Sequence, residues 1–311
     1  MTKYVLYRVI GALSSIWLAV TLTFFAIQLV PGDPVQAALS QSTATQDVLE
    51  QRRAQLGLDR PVLVQYGSYI LGIAHADFGV SWSAGQPVAF LIGQQLRPTV
   101  SLALAGTLIA FGTGMALGLA ASIGQEGFLG DLARSAAGIL LSFPVMFSGM
   151  LVIGAFAVQV HLFPATGQGT LRHLVLPAVV VGLSGSGSIA RTVEAGIADM
   201  LDEPFIKMAI AKGLRRTQVL VRHALRVGLL PTLDALALQV GFLLGGAVIT
   251  EAVFARQGVG RLLLQAVLDK DLPLVQAIVI LSVLVYAILN LFADVVHAIL
   301  DPRLRGTISG Q

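Results

Sequence analysis

Six stretches of this chain contain no Asp, Glu, Lys or Arg: Val9 to Gly32, Pro98 to Gln125, Ser135 to Leu171, His173 to Ala190, Ala235 to Thr250 and Leu272 to Ala293. A bilayer core about 30 Å thick is crossed by roughly 20 apolar residues in a helix rising 1.5 Å per residue. Most of the runs are that long, and the two shorter ones reach it by extending past one flanking charge. The hydrophobic share, 55% of 311 residues, lies well above that of a soluble globular domain. Continuous runs, unlike short alternating ones, exclude a transmembrane barrel and require helical spans. The expected fold is an all-α membrane protein with six transmembrane helices.

The expected spans cover about 9–30, 99–123, 135–160, 174–198, 229–253 and 274–300, all within one membrane domain, 1–311. The first run is too long for a signal-peptide core, and Leu29-Val30-Pro31-Gly32-Asp33-Pro34 offers no small-residue cleavage site, so it reads as a retained span. Residues 31–97 are more polar and form the expected extracytoplasmic insertion, with short helices near the membrane surface. Pro144 is expected to kink the third span. Placing the N-terminus inside puts twelve of the twenty Lys and Arg residues, and both termini, on the cytoplasmic side, as the positive-inside bias favours. The net charge of +3 then reflects cationic loops beside anionic lipid headgroups, with no nucleic-acid partner implied.

Several chemistries find no support in the residues. There is no Gly-x-x-x-x-Gly-Lys-Ser/Thr phosphate loop. Gly185-Ser186-Gly187-Ser188-Ile189-Ala190 matches a dinucleotide fingerprint in form, yet it lies inside an apolar span, where small residues let helices approach closely. Gly114 to Gly118 and Gly241 to Gly245 read as packing faces in the same way. The absence of cysteine removes disulfides and thiolate metal sites. His75, His161, His173, His223 and His297 show no ligand spacing, so no metal site is expected. Arg191, Glu194, Asp234 and Asp294 are the charges nearest the spans. They lie close to span ends, and Arg191 with Glu194, three apart on a helix, can pair.

The densest cationic stretch, Phe205 to Gly228, holds Lys207, Lys212, Arg215, Arg216, Arg222 and Arg226. Positive-inside bias accounts for these charges. It does not account for a short helix, a break at Gly213 and a second short helix capped by Thr217, which suit insertion into a groove of a partner. Asp202-Glu203-Pro204 is the expected start of the first of these helices.

Ala209-x-Ala211-Lys212-Gly213-Leu214, followed by Arg222-His223-Ala224-Leu225-Arg226 and Leu229-Leu230-Pro231, resembles the cytoplasmic coupling motif of ABC importer permeases, in particular the dipeptide/oligopeptide/nickel family. Pro31-Gly32-Asp33-Pro34, Leu56-Gly57-Leu58-Asp59-Arg60-Pro61 with Gln65-Tyr66, Asp77-Phe78-Gly79-x-Ser81, Glu251-x-x-Phe254-x-x-x-Gly258-x-Gly260 and Asp301-Pro302-Arg303 extend the resemblance over nearly the whole chain. Lys207 stands where the general importer motif has Glu, a departure common in the peptide/nickel branch.

The resemblance implies a type I importer permease, a non-enzymatic subunit of a bacterial cytoplasmic (inner) membrane transporter for di- or oligopeptides or chelated nickel. Its implied partners are a homologous second permease, two cytoplasmic ATPases that bind the ATP and Mg, and an extracytoplasmic substrate-binding protein. This chain is expected to bind no cofactor. The 202–226 helices within the 199–228 loop would couple to the ATPase through Lys207, Ala209, Ala211, Lys212, Gly213, Leu214, Arg215 and Arg216, with Ala209 and Gly213 small for close approach. Asp77, Gly258 and Gly260 would serve the outer gate or binding-protein docking. Two rival classes stay open at this point: a secondary carrier, for which no inverted repeat is evident, and a membrane enzyme, for which no polar catalytic cluster is evident.

Overall fold

The computed structural model describes residues 2–28, 50–51, 54, 59–124, 127–201, 203–214, 216–219 and 225–300. The motifs at Pro31–Pro34, Leu56–Leu58 and Asp301–Arg303, with Asp202, Arg215, Arg222 and His223, lie outside the described residues. Helices account for nearly all the regular structure: α1 (Thr2–Gln28), α2 (Val62–Ala74), α3 (Val88–Ile123), α4 (Phe128–Ser142), α5 (Val145–Val152, continued by a π-helix, Ile153–Gln159), α6 (Leu171–Leu201), α7 (Pro204–Ala211), α8 (Arg216–Val219), α9 (Leu225–Gly228), α10 (Leu230–Val253), α11 (Val259–Leu268) and α12 (Leu272–Leu300).

The centre of the bundle is the crossing of α3 and α6, its most extensive helix contact. A stripe at four-residue intervals on α3, Leu102, Gly106, Ala110, Gly114 and Gly118, is buried. A Cβ on Gly114 would sit 2.7 Å from Ile189 and from the Ser186 carbonyl, and one on Gly118 would sit 2.6 Å from the Ala190 carbonyl. From the other side, a Cβ on Gly182 would meet Ile109 at 2.6 Å. Without a hydrophobic drive between helices in lipid, such close backbone approach supplies the packing. Gly114 and Gly118 thus act as the expected packing face; Gly241 does the same against Tyr286. The opposite side of α3 leaves Leu104 and Leu108 exposed, as lipid contact requires.

Among the described residues, four helices are long and apolar enough to cross a membrane: α1, α3, α6 and α12. The count reaches five if α4 and α5 form one span. These two meet at 101°, so Pro144 does more than kink the third expected span. Both junction residues are extended, Phe143 at φ −81°, ψ 120° and Pro144 at φ −60°, ψ 134°. The proline ring drives its predecessor out of the helical region and withholds an N–H, which separates the segment into two helices. The 24-residue helix α10 coincides with the fifth expected span.

Two further differences concern boundaries and charge. The helix expected from residue 99 starts at Val88, so residues 88–97, the end of the expected extracytoplasmic insertion, are the first turns of α3. Glu194 does not pair with Arg191; it accepts from Arg134 Nε of α4 at 2.7 Å, and Arg134 also meets Asp131 at 2.7 Å. A partner on a neighbouring helix offers a direct approach that the same-helix arginine does not. At the edge of the bundle α1 packs on α12, where Arg8 and Asp294 lie 2.9 Å apart. α2 docks on α1 through Phe24, Tyr66 and Tyr69 and a 2.7 Å bond between Thr21 and the Tyr66 hydroxyl.

Candidate functional site

The first helix after α6 is bounded as the sequence suggests, whereas Thr217, the expected cap of the second, lies inside α8, which begins at Arg216. Glu203 is extended, at φ −65°, ψ 140°, and its carbonyl accepts the first helical N–H groups, from Ile206 at 3.1 Å and Lys207 at 3.2 Å. Pro204 occupies the first helical position, where a missing N–H costs nothing. At the other end Gly213 takes φ +88°. The Leu214 N–H reaches the Ala209 carbonyl at 3.3 Å, and the Gly213 N–H reaches that of Ile210 at 2.9 Å. These two bonds form the glycine-terminated helix stop that satisfies the last carbonyls.

The two small residues sit in different surroundings. A Cβ on Gly213 would meet nothing within 4 Å, so the positive φ, not close approach within the chain, accounts for this glycine. Ala209 faces inward, in a small buried cluster with Ile206 and Val219 that packs against Met200 and Leu201 at the end of α6. Lys207, Ala211, Lys212 and Leu214 are exposed, and Arg216 opens α8. The sequence reading passed over the apolar residues turned outward: Phe205 is 43% exposed and Met208 59%, beside Ile210 and Leu214. An apolar periodicity wider than one buried stripe was the available signal.

The return of this segment is pinned as well. α9 crosses α6 where Gly228 faces Gly196: a Cβ on Gly228 would lie 2.6 Å from the Gly196 carbonyl. Any bulk at either position would separate the two backbones. Leu225 and Leu229 complete the contact with Ile189, Val193 and Ile197 of α6.

At the opposite end of α6 lies a second polar constellation. Glu251 is fully buried at the end of α10. Its carboxylate accepts from the Thr99 hydroxyl at 2.6 Å and from the Arg261 N–H at 3.0 Å, while Thr99 Oγ1 accepts from the Val259 N–H at 2.8 Å. One acid and one hydroxyl thus cap the first turn of α11, where free N–H groups favour negative charge. A Cβ on Gly258 would overlap the Glu251 carboxylate, and one on Gly260 would sit 2.6 Å from the Val248 nitrogen. Both glycines are buried and face inward.

Arg256, 4% exposed, donates to the carbonyls of His173 at 3.2 Å and Pro98 at 3.3 Å, joining α6 to α3. Burial pushes its guanidinium below the usual range, with Glu251 opposing the shift. The other end of α11 is fixed by Asp271, also fully buried. It accepts from the hydroxyls of Ser81 at 2.5 Å and Ser83 at 2.7 Å and from the Ser83 N–H at 3.0 Å. Asp77 is exposed and accepts from the Gly79 N–H at 2.9 Å, shaping the turn that delivers Ser81. The sequence motifs around Asp77 and Gly258 therefore meet across α11, through Glu251, Thr99 and Asp271, which sequence reading did not single out as a site.

Comparison with known proteins covers nearly the whole chain. Residues 112–306 match the family model described as binding-protein-dependent transport system inner membrane component, and residues 1–103 match the N-terminal model of the same systems. This chain belongs to that permease family. It is 34% identical over 305 residues to the glutathione transport system permease protein GsiC of Escherichia coli (strain K12), covering 98% of this chain and 99% of the relative. The same protein of Salmonella typhimurium (strain LT2) is also 34% identical over 305 residues. Among solved structures, an inward-facing MetNI methionine ABC transporter superposes with a TM-score of 0.58 at 18% identity, over 68% of this chain and 97% of that one. That likeness speaks to the fold.

The permease is thus a multi-pass protein of the cytoplasmic membrane and a subunit of an ABC importer. In this family ATP hydrolysis resides in separate subunits, and an extracytoplasmic binding protein delivers the substrate. α6, 31 residues and about 46 Å long at 1.5 Å per residue, connects the segment at 203–228 with the Arg256 end.

Proposed function

We propose that this permease carries peptide-class substrates, of the size of di- to oligopeptides or glutathione, through a pathway completed by a homologous second permease. The supporting observation is the end-to-end 34% identity with glutathione transport permeases. In this reading six spans place both termini in the cytoplasm, with the bent α4–α5 pair and α10 completing the set. Residues 31–97 and α11 lie outside, and 199–228 forms the coupling loop.

The exposed apolar residues of α7, Phe205 and Met208, with Ala211 and Leu214, would seat in a groove of the ATPase, and Lys207, Lys212, Arg215 and Arg216 would meet its acidic rim. Closure of the ATPases would move α7 and α9 as a unit, because both pack on α6. A continuous α6 would carry that displacement to the clasped end, where Asp77, Gly258 and Gly260 belong to the outer gate, and rigid-body rocking would exchange inward for outward access.

The test is reconstitution of the complete importer in vesicles. Glutathione or a tripeptide is expected to accumulate in an ATP-dependent manner and to compete with one another. Accumulation of a nickel chelate with no peptide uptake would overturn the substrate assignment.

A further inference from the structure

A cleft of about 470 Å³ opens beside the Phe143–Pro144 break, between α6 and α10. Among the described residues, no Asp, Glu, Lys or Arg lines it; its polar residues are Ser184, Ser188, Thr192, Gln239 and Thr250 among apolar neighbours. Ser184, Ser188 and Thr192 follow one another at intervals of four along one face of α6. Each hydroxyl donates its proton back to its own helix: Ser184 to the Val181 carbonyl at 2.8 Å, Ser188 to that of Gly185 at 2.9 Å and Thr192 to that of Ser188 at 3.0 Å. With the protons committed, what each oxygen has left to offer is acceptor capacity.

Two further observations indicate a ligand. Thr250 lines the cleft, is 1% exposed, and its hydroxyl has no hydrogen-bond partner among the described residues. Leaving such a group unpaired in a buried site is costly. The Gln239 amide reaches over Gly185, where a Cβ would overlap it, so a glycine is what lets this amide stand in the cleft.

We infer that this cleft is a substrate-contacting wall that reads the backbone of an extended peptide through its N–H groups. Acceptors four residues apart on a helix stand about 6 Å apart. Alternate N–H groups of an extended chain, which point the same way, are about 6.6 Å apart. The hydroxyl row therefore accepts from every second amide, or from the terminal ammonium, while Gln239 can both donate to and accept from a peptide group. With no charge on the wall and apolar neighbours around it, side-chain identity is read weakly. The volume falls within the range of small-molecule sites.

The inference rests on the peptide reading given above, and the experiment separates the two. The chain has no cysteine, so Ser188→Cys and Gln239→Cys each give a single thiol. In the complete importer reconstituted in lipid nanodiscs, trialanine is expected to slow maleimide labelling at both positions severalfold under turnover. Trialanine N-methylated at both amides, which keeps only the terminal ammonium as a backbone donor, is expected to protect far less. Gln239→Leu in vesicles is expected to lower trialanine uptake about tenfold, the effect of one lost hydrogen bond, while ATP hydrolysis persists. Equal protection by the N-methylated peptide would overturn the donor–acceptor reading. Labelling indifferent to peptide, or a Ser188→Cys thiol that cross-links to the second permease, would overturn the site. If the importer with the unsubstituted permease takes up no trialanine, the substrate class fails first, and the inference falls with it.

Discussion

The two ends of α6 solve opposite problems. At the Arg256 end, buried carboxylates find partners within the chain: Glu251 receives Thr99 and the Arg261 N–H, and Asp271 receives Ser81 and Ser83. At the 203–228 end, Ile206, Ala209 and Val219 form a small apolar cluster, while Phe205 and Met208 face outward. One end is complete in itself. The other closes its own backbone bonds through Glu203 and Gly213 yet leaves an apolar face turned out, as a segment made to meet another protein would. A self-contained polar clasp at one end and an outward-turned apolar face at the other, joined by a continuous helix, suit the proposed role of a subunit that transmits work done elsewhere.

The contrast breaks most visibly if the clasp is emptied. Glu251→Leu orphans the Thr99 hydroxyl and N–H groups of α11 together, and is expected to destabilise the purified permease by about 3 kcal/mol or more. Thermal unfolding in detergent reads this directly. Phe205→Asp in the same assay is expected to leave the unfolding midpoint unchanged, while co-purification with the ATP-hydrolysing subunit is lost. A destabilised Phe205→Asp that still binds its partner would reverse the assignment of the two ends.

Smaller effects sharpen the comparison. Gly213→Ala must hold a left-handed conformation and is expected to cost about 1–2 kcal/mol. Gly213→Asn, better suited to that conformation, should cost less, and comparing their unfolding midpoints separates backbone strain from steric exclusion by a partner. Arg8→Gln removes one side of a half-exposed ion pair and is expected to cost less than about 1 kcal/mol, measured the same way.

Much of this architecture was legible because it follows from local chemistry. Uncharged runs mark α1, α3, α6 and α12; Pro204 and Gly213 mark the bounds of α7; Gly114 and Gly118 mark a packing face. What was not legible depends on distant residues meeting. Thr99 and Glu251 are 152 positions apart, and Ser81 and Asp271 190 apart. Nothing in either local stretch announces the pairing. The Gly258-x-Gly260 spacing carried the trace of it, since those glycines leave room for Glu251 and for α10, but read alone it suggested a surface. Glu194 shows the same limit: local spacing offered Arg191, and the fold supplied Arg134.

The most direct measurement uses Met208, the most exposed large apolar residue of α7, in this cysteine-free chain. Met208→Cys in the complete importer, treated with a short thiol-reactive cross-linker, is expected to join the permease to the ATP-hydrolysing subunit and to be shielded from a membrane-impermeant maleimide added outside intact cells. Labelling from outside, or a cross-link to the binding protein in place of the ATPase, would contradict the assignment of residues 203–228 as the coupling end.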